Sequence, residues 1–191
     1  MPNIKNILQK AARGPQIIMP KDAALILAYT GIGPGSKVVD AGTGSGFLAV
    51  FLANYVRPGK VVTYENDKRF VKIAEKNIKS SGLSKFIQLR KCDVTKGIKE
   101  KNADLVTLDL KGVKKAIPHA YRALKSGGWL AVYSPHVEQL IEVKREIKKK
   151  SFCGVKTVEN IVREWKVEKT TRPRTVGIMH TGFLTFAQKA K

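Results

Sequence analysis

The sequence predicts an α/β fold: a mostly parallel, seven-stranded sheet with helices on both faces and an antiparallel hairpin at the C-terminal end. Three observations lead to this prediction. Short β-branched runs alternate with helical apolar spacing from residue 37 to residue 150, and such alternation requires crossover connections between parallel strands. The first run leads into a glycine-rich loop and an apolar helix. The last two β-rich segments lie close together in the chain, as in a hairpin.

The elements follow in a regular order. The N-terminal segment, residues 1–30, is predicted to be helical, with a turn at Arg13-Gly14-Pro15 and a helix over Lys21–Tyr29. Strands are predicted at Lys37–Asp40, Val61–Glu65, Phe86–Leu89, Asp104–Leu110 and Trp129–Tyr133, helices at Phe47–Tyr55, Lys68–Ser80, Lys114–Leu124 and Val137–Lys150, and final β segments at Lys156–Lys169 and His180–Gln188. No linker or repeat divides the chain, so we expect residues 1–191 to form a single domain.

The charge of the chain points to a polyanionic partner. The 191 residues include 36 Lys and Arg against 15 Asp and Glu, which gives a formal net charge of +21. Such an excess attracts nucleic acid. The alternative is that lysine serves solubility or a high-temperature host, but thermophilic surfaces usually add Glu alongside Lys.

Two other classes of protein are not indicated. The longest apolar runs are far shorter than the ~20 residues that span a bilayer, and the N-terminus lacks the apolar region of a secretory signal. We therefore expect a cytoplasmic protein without a membrane partner. Cys92 and Cys153 lie far apart, outside any Cys-x-x-Cys spacing. Neither a disulfide framework nor a metal site is expected.

The sharpest local feature is the loop Gly42-Thr43-Gly44-Ser45-Gly46, between a strand and a helix. Glycines let the backbone approach a ligand closely, and the helix N-terminus presents unpaired N–H groups. The spacing is G-x-G-x-G, and Phe47 occupies the last glycine position of the dinucleotide pattern G-x-G-x-x-G. That departure argues against a nicotinamide cofactor.

Three acids stand at the ends of successive strands: Asp40 before the glycine loop, Glu65 after the second strand and Asp93 after the third. Together with the loop they resemble the class I S-adenosylmethionine-dependent methyltransferases, whose fold is Rossmann-like. The resemblance implies that Asp40 is among the cofactor-binding residues, that the loop packs against the methionine part of the cofactor, that Glu65 accepts hydrogen bonds from both ribose hydroxyls, and that Asp93 contacts the adenine. The alternative for each acid alone is a surface residue, and for the loop a purely structural turn.

Asp109 ends the fourth predicted strand, at the edge where a substrate would meet the cofactor. It is the candidate catalytic residue, and its position also places it among the cofactor contacts. The alternative is a carboxylate that caps the following helix. The segment lacks the Asn-Pro-Pro-Tyr signature of enzymes that methylate exocyclic amines, and neither cysteine has the Pro-Cys context of cytosine-C5 methyltransferases. The sequence therefore disfavours these two kinds of methylation.

Motifs at both ends narrow the resemblance. Residues Arg13–Asp22, Ala131–Leu140, Arg163–Val167, Arg172-Pro173 and His180–Leu184 are similar to the R-x-x-Q-I-I/V-Y-P-K-D, Y-x-P-x-x-x-Q and R-E-W…H-T-G/A-F-L elements of the tRNA (adenine-N1)-methyltransferases that modify the T-loop. The resemblance implies methylation of adenine N1 in tRNA, a target base flipped into a pocket beside S-adenosylmethionine, a cofactor contact at Gln16, and a homotetramer.

Three departures from that family concern the substrate side. Relatives usually carry an additional N-terminal domain, and only about a dozen residues precede the Gln16 element here. Gly112-Val113-Lys114 stands where relatives have Pro-Trp, and Met19 stands where they have Tyr. The shape of the base pocket and the docking of RNA are therefore expected to differ.

Candidate substrate contacts come from the same motifs. Tyr133, His136, Trp165 and His180 are candidate pocket walls; for Trp165 and His180 the alternative is packing in the core. Basic residues that are candidates for phosphate contacts are Lys144, Arg145, Lys148, Lys149, Lys150, Arg172 and Arg174. For the first five the alternative is a solvated helix face.

The sequence leaves two alternative functions open. A small-molecule methyltransferase of the same fold, such as a precorrin methyltransferase, has a similar length, but the strong positive charge disfavours it. A non-catalytic RNA-binding subunit is expected to have a degraded cofactor loop, whereas Gly42–Gly46, Glu65 and Asp93 stand intact.

Overall fold

The computed structural model describes residues 3–12, 14, 17–175, 177 and 180–191. The α-helices in this part of the chain are α1 (Ile4–Lys10), α2 (Pro20–Thr30), α3 (Phe47–Val56), α4 (Lys68–Ser80), α5 (Val113–Ala123) and α6 (Val137–Ile147). The β-strands are β1 (Lys37–Ala41), β2 (Lys60–Tyr64), β3 (Ile87–Arg90), β4 (Ala103–Leu108), β5 (Leu124–Ser134), β6 (Phe152–Glu159), β7 (Trp165–Lys166), β8 (Arg172–Pro173) and β9 (Phe183–Lys189).

Seven strands form one sheet in the order β3-β2-β1-β4-β5-β9-β6. Strands β1 to β5 are parallel, and β9 is antiparallel to both β5 and β6. The predicted fold class is confirmed, including the antiparallel pair at the C-terminal end. The strand order reverses between β1 and β4, and in open parallel sheets ligands bind at the carboxyl ends of the strands at such a point.

Helices cover both faces of the sheet. Helices α1 to α4 pack on one face, in a core that includes Phe51 and Phe186, and α5 and α6 pack on the other, in a core that includes Ile117. The neighbours Val38 and Val39 of β1 belong to opposite cores. This alternation explains why the central strands read as continuous apolar runs in the sequence.

The helices begin at local signals. For example, the Asp67 side chain accepts a hydrogen bond from the Arg69 N–H and caps α4, whose residues Val71, Ala74 and Ile78 are buried. Among the described residues, no helix has the length and apolar character that a membrane crossing needs.

The C-terminal region differs from the prediction. The single β segment expected over Lys156–Lys169 is wrong: β6 ends at Glu159, and β7 pairs with β8 in a separate two-stranded sheet. Residues 161–172 are all exposed, so no alternation of buried and exposed side chains marks where the strand ends. Helix α6 likewise stops at Ile147, before the lysines of residues 148–150.

Candidate active site

A cleft of about 840 Å³ opens at the carboxyl ends of β1 to β5. Its volume is typical of a site for a small molecule or cofactor. The walls are formed by the loops that follow these strands and by residues 17 and 18 from the segment before α2. The lining residues used below are Ile17, Ile18, Gly42, Thr43, Gly44, Ser45, Tyr64, Glu65, Cys92, Asp93, Asp109, Lys111, Lys115, Pro135, His136 and Gln139.

The glycine loop forms the floor of the cleft. The N–H groups of Gly42 and Thr43 both donate to the carbonyl oxygen of Tyr64, each at 3.1 Å, which ties the loop to the end of β2. Gly46 begins α3 with φ +81°, and a Cβ there would lie 3.5 Å from the Cα of Ala74 on α4. Gly46, the last residue of the loop, does not line the cleft; its lack of a side chain lets α3 and α4 approach each other. The four residues before it line the cleft.

Asp40 lies beneath the loop and is not one of the cleft-lining residues. Its side chain is 1% exposed, and its two oxygens accept hydrogen bonds from the hydroxyls of Thr63 and Thr107, both at 2.6 Å. Burial raises the pKa of Asp40 to about 6, against the lowering effect of these two bonds, and the charge of Glu65 adds to the rise. Its contacts make it a support of the loop from below.

Glu65 is held rigidly at the end of β2. Its Oε2 accepts from the Gly44 N–H at 2.9 Å, and its Oε1 accepts from the N–H groups of Asn66 and Asp67, both at 2.9 Å. The carboxylate is buried but faces the cleft. An ionised carboxylate offers about four acceptor positions, so acceptor capacity remains for a ligand hydroxyl.

Asp93 lines the cleft after β3 and caps the short turn that follows. Its Oδ1 accepts from the N–H and the hydroxyl of Thr95, at 2.8 and 2.7 Å, and these bonds hold the pKa of Asp93 below its usual value. Cys92 lies beside it, exposed in the cleft. An acceptor fixed at this depth suits recognition of an exocyclic amine.

Asp109 lines the cleft directly after β4, and its backbone is bonded to the end of β1, just before the glycine loop. Its N–H donates to the carbonyl oxygen of Ala41 at 2.8 Å. Burial, followed by the charge of Asp40, raises the pKa of Asp109 to about 7. The capping alternative is wrong, because α5 begins at Gly112 without a side-chain cap. The carboxyl group is therefore available to a substrate.

The candidate pocket walls divide into two groups. His136 is exposed and lines the cleft together with Pro135. Tyr133 lies behind this edge, 3% exposed, and its hydroxyl donates to the carbonyl oxygen of Thr181. Burial raises the pKa of Tyr133 to about 12, and the charges of Asp22 and Asp109 contribute.

Trp165 and His180 do not line the cleft. Trp165 is 56% exposed on β7, and the exposed His180 side chain contacts Glu159 and the ring of Phe183. The alternative of core packing is wrong for both residues. Lys144, Arg145 and residues 148–150 are exposed at the far end of α6, about 15 Å from its cleft end.

Gln16, the remaining predicted cofactor contact, lies outside the described residues, whereas the adjacent Ile17 and Ile18 line the cleft. Sequence reasoning missed Lys111, Lys115 and Gln139 as cleft residues; the Gln139 side chain donates to the carbonyl oxygen of Leu110 at 3.3 Å. The positive charge of Lys111, two residues after Asp109 in the sequence, is a signal from which it could have been placed at the cleft. Within the described part of the chain, no cluster of three or more His, Cys, Asp or Glu side chains is placed to hold a metal ion.

The arrangement fits a nucleoside with an extended arm. Bare backbone at Gly42 and Gly44 provides a floor without side chains, Glu65 and Asp93 provide acceptors, and Ile18 with Phe47 provides apolar wall. These features match the demands of S-adenosylmethionine. Asp109 lines the same cleft, directly after β4.

Comparison with known proteins agrees with this geometry. Residues 8–177 match the family described as the tRNA methyltransferase complex GCD14 subunit. The chain is 34% identical over 215 residues to the tRNA (adenine(57)-N(1)/adenine(58)-N(1))-methyltransferase TrmI of Methanocaldococcus jannaschii, an alignment covering 98% of this chain and 76% of that protein. It is 31% identical over 193 residues to the tRNA (adenine(58)-N(1))-methyltransferase TrmI of Thermus thermophilus, covering 100% of this chain and 76% of that protein.

Solved structures show the same fold. A SAM-dependent O-methyltransferase from Thermotoga maritima superposes with a TM-score of 0.92 at 30% identity, covering all of this chain and 72% of that one. The tRNA (m1A58) methyltransferase TrmI from Aquifex aeolicus superposes with a TM-score of 0.90 at 26% identity, covering 100% and 77%. A precorrin 8w decarboxylase superposes at 0.79 with 19% identity, which shows likeness of fold alone.

Proposed function

The chain belongs to the tRNA methyltransferase family described as the GCD14 subunit of the tRNA methyltransferase complex, and from this membership we propose that it is a single-domain enzyme that methylates N1 of an adenine in the T-loop of tRNA. It is an S-adenosylmethionine-dependent tRNA (adenine-N1)-methyltransferase, the activity for which its relatives are named. The observation that carries the proposal is that Asp109 stands in the same cleft as the glycine loop and Glu65.

The residues that hold the cofactor in this proposal are those of the cleft floor. Gly42, Thr43, Gly44 and Ser45 lie under the methionine part, Glu65 accepts from the ribose hydroxyls, and Asp93 accepts from the adenine amino group. Asp40 supports the loop from beneath through Thr63 and Thr107, and Gly46 sets the start of α3. When bound, S-adenosylmethionine supplies the methyl group as a sulfonium.

Asp109 orients the target adenine. An ionised carboxylate there accepts a hydrogen bond from the adenine amino group, which aligns N1 with the donor. Methylation at N1 makes the ring cationic until that amino group loses a proton. The negative charge of Asp109, partly buried and close to the reacting atoms, favours this developing positive charge.

The target base must leave the RNA stack to reach Asp109. In folded RNA the N1 edge is paired or stacked, so we propose that the nucleotide is flipped into the cleft. Pro135 and His136 form the wall on that side, and the buried Tyr133 lies just before them, at the end of β5. Trp165 and His180 do not line the cleft, so we propose that they contact tRNA outside it.

The surface supports a large polyanionic substrate. The exposed Lys111 and Lys115 stand at the cleft, and the net charge is +21. The more distant basic residues of α6 and of β8 are proposed to follow the tRNA backbone, where they contribute affinity rather than sequence specificity.

We also propose that the chain forms a homotetramer. Residues 155–167, which run from β6 to the residue after β7, expose the large apolar side chains Val155, Ile161, Val162, Trp165 and Val167. Their closeness in sequence to the edge strand β6 supports burial against a second copy.

The two rivals have weaker support. Precorrin methyltransferase structures align at 17% identity, a likeness of fold alone. A non-catalytic subunit has no need of the intact Gly44–Glu65 bond or of an acceptor at Asp93 in the cleft.

The direct test is incubation of the protein with labelled S-adenosylmethionine and an unmodified tRNA transcript, followed by mass spectrometry of the nucleosides. We expect 1-methyladenosine, mapped to the T-loop by nuclease fragments. Label found only in a tetrapyrrole, a protein or another nucleoside would overturn the proposal.

A further inference from the structure

Two sequence motifs that the cleft does not use meet in the fold. They are Pro20-Lys21-Asp22, at the start of α2, and His180-Thr181-Gly182, before β9. The Nζ of Lys21 lies 2.9 Å from Asp22 Oδ1 and 2.7 Å from Thr181 Oγ1. The Thr181 hydroxyl donates to Asp22 Oδ2 at 2.7 Å. Asp22 is 1% exposed, so these bonds replace water around a buried charge.

The same lysine fixes both ends of residues 160–181, the segment that joins β6 to β9. Its Nζ donates to the carbonyl oxygen of Asn160 at 2.5 Å, and the Asn160 side chain donates back to the Lys21 carbonyl oxygen at 2.9 Å. With Asp22 and Thr181, three acceptors surround the ammonium and match its three donors. The base of this segment is thus clamped onto α2.

Contacts continue from the clamp towards the reaction side of the cleft. The Tyr133 hydroxyl donates to the Thr181 carbonyl oxygen, and a Cβ on Gly182 would lie 2.6 Å from Tyr133 Cζ. The bond to Glu159 raises the pKa of the neighbouring His180, and the backbone of Pro135, which lines the cleft, adds to the rise. Displacing Thr181 therefore moves Tyr133, which lies two residues before Pro135 in the wall proposed to face the target base.

Stability alone does not account for the clamp. A buried ion pair is often no more stabilising than apolar residues of the same volume, and the backbone bonds of β9 with β5 and β6 already hold the sheet together. What the clamp adds is a fixed position for the backbone at Thr181.

We propose that Lys21, Asp22 and Thr181 are positioning residues, which act through the buried Tyr133 to set Pro135 against the target adenine beside Asp109. The inference rests on the proposed function, because it concerns the methyl acceptor. It predicts an effect on the transfer step and none on cofactor binding, since none of the three residues lines the cleft.

The sharpest test compares Thr181→Val with Thr181→Ser, because valine keeps the shape and loses the hydroxyl while serine keeps the hydroxyl. For Thr181→Val we expect kcat on tRNA to fall at least tenfold, with KM for S-adenosylmethionine and for tRNA within threefold of wild type. For Thr181→Ser we expect kcat within threefold of wild type. Equal kcat in the two variants would overturn the inference.

A second comparison separates positioning from folding. Lys21→Met leaves a buried carboxylate without its cation, so we expect a lower Tm and a lower kcat. The double variant Lys21→Met/Asp22→Asn removes both charges, so we expect the Tm to recover and kcat to stay low, all assays being run well below the Tm. Recovery of kcat together with Tm would show a structural role only and overturn the inference. If Lys21→Met does not fold, the Thr181 pair decides.

The wild-type enzyme in the same assay separates the proposed function from the positioning role. Absence of 1-methyladenosine with wild type overturns the proposed function. Methylation by wild type together with full activity of Thr181→Val overturns the positioning role and leaves the function intact.

Discussion

A Cβ atom on Gly42 would lie 1.8 Å from the carbonyl oxygen of Asp109, so the glycine loop and the end of β4 are in direct backbone contact. The Asp109 N–H also bonds to Ala41, the residue before the loop. The loop proposed to hold the cofactor and the carboxylate proposed to orient the substrate are therefore one rigid unit, an arrangement that suits the alignment of donor and acceptor.

Gly42→Ala is expected to push the glycine loop away from the end of β4. The added methyl group has no space and meets backbone, which cannot rotate away, so we expect the free energy of unfolding to fall by more than about 3 kcal/mol and S-adenosylmethionine binding to be lost. Urea denaturation and calorimetry measure both. Gly35→Ala is the matched control: its φ of +87° is close to the +93° of Gly42, but nothing lies within 4 Å of its Cβ. It should cost only about 1 kcal/mol of conformational strain; equal losses in the two variants would contradict the steric argument.

The ratio kcat/KM is expected to rise with pH through about 7. The proposed hydrogen bond from the adenine amino group needs an ionised Asp109, and burial with the charge of Asp40 raises the pKa of this carboxyl in the free protein to about 7. The measurement is kcat/KM between pH 5.5 and pH 9, because this ratio reports the groups of the free enzyme. A kcat/KM that is constant between pH 6 and pH 8 would exclude ionisation of Asp109 as a requirement.

Asp109→Asn is expected to abolish turnover and stabilise the protein at high pH. In the unfolded chain the carboxyl ionises near 3.8 and in the folded protein near 7, so stability falls as pH rises from about 4 to about 7. At pH 8 the variant avoids a cost on the order of 4 kcal/mol; near pH 3 the two proteins should agree. Thermal unfolding at both pH values measures this.

Asp104→Asn is the control of opposite sign. Burial acts to raise the pKa of Asp104, but bonds from Lys125 and from the Lys37 N–H outweigh it and lower the pKa. This variant should lose stability at pH 8. Stabilisation by both substitutions would indicate a general effect of removing negative charge.

Glu65→Gln is expected to weaken cofactor binding by about tenfold to a hundredfold. Both oxygens of Glu65 accept from backbone N–H groups, and the amide of glutamine would place donors against donors at one of them. Titration calorimetry with S-adenosylmethionine measures the change. Glu75→Gln removes the same charge from an exposed pair with Lys91 and should change the affinity less than twofold. Wild-type affinity in Glu65→Gln would remove this residue from the cofactor site.

Cofactor binding is expected to protect Cys92 from alkylation. Both cysteines are exposed, but only Cys92 lies in the cleft, next to Asp93; Cys153 lies on β6, across the sheet. With saturating S-adenosylmethionine, iodoacetamide should label Cys92 at least fivefold more slowly and Cys153 at an unchanged rate, as followed by peptide mass spectrometry. Equal protection of both thiols would point to a change of the whole molecule instead.

The sequence predicted those parts of the fold that local chemistry determines. The 3.6-residue spacing of Val71, Ala74 and Ile78 placed α4 at its observed bounds, and the glycines of the loop marked the turn out of β1. The acids at strand ends came together because parallel strands present their carboxyl ends at one edge. Periodicity and strand direction were sufficient for these.

Other features depend on contacts with no local signature. Asp40 was expected to face the ligand, but Thr63 and Thr107, one on each neighbouring strand, take both of its oxygens. Lys21 and Thr181 are 160 residues apart, and nothing in the sequence near either residue indicates that the two side chains are bonded. The short pairing of β7 with β8 lies in an exposed segment, where no alternation of apolar and polar side chains exists to be read.

The position of β9 has a consequence for how the molecule is made. This strand comes last in the described chain order, yet it lies between β5 and β6 and supplies the partner for both. On a ribosome, β6 therefore emerges with nothing to pair with, and the sheet closes only after some thirty further residues have been synthesised. A nascent chain that already carries every loop of the cleft therefore still lacks the strand that joins β6 to the rest of the sheet.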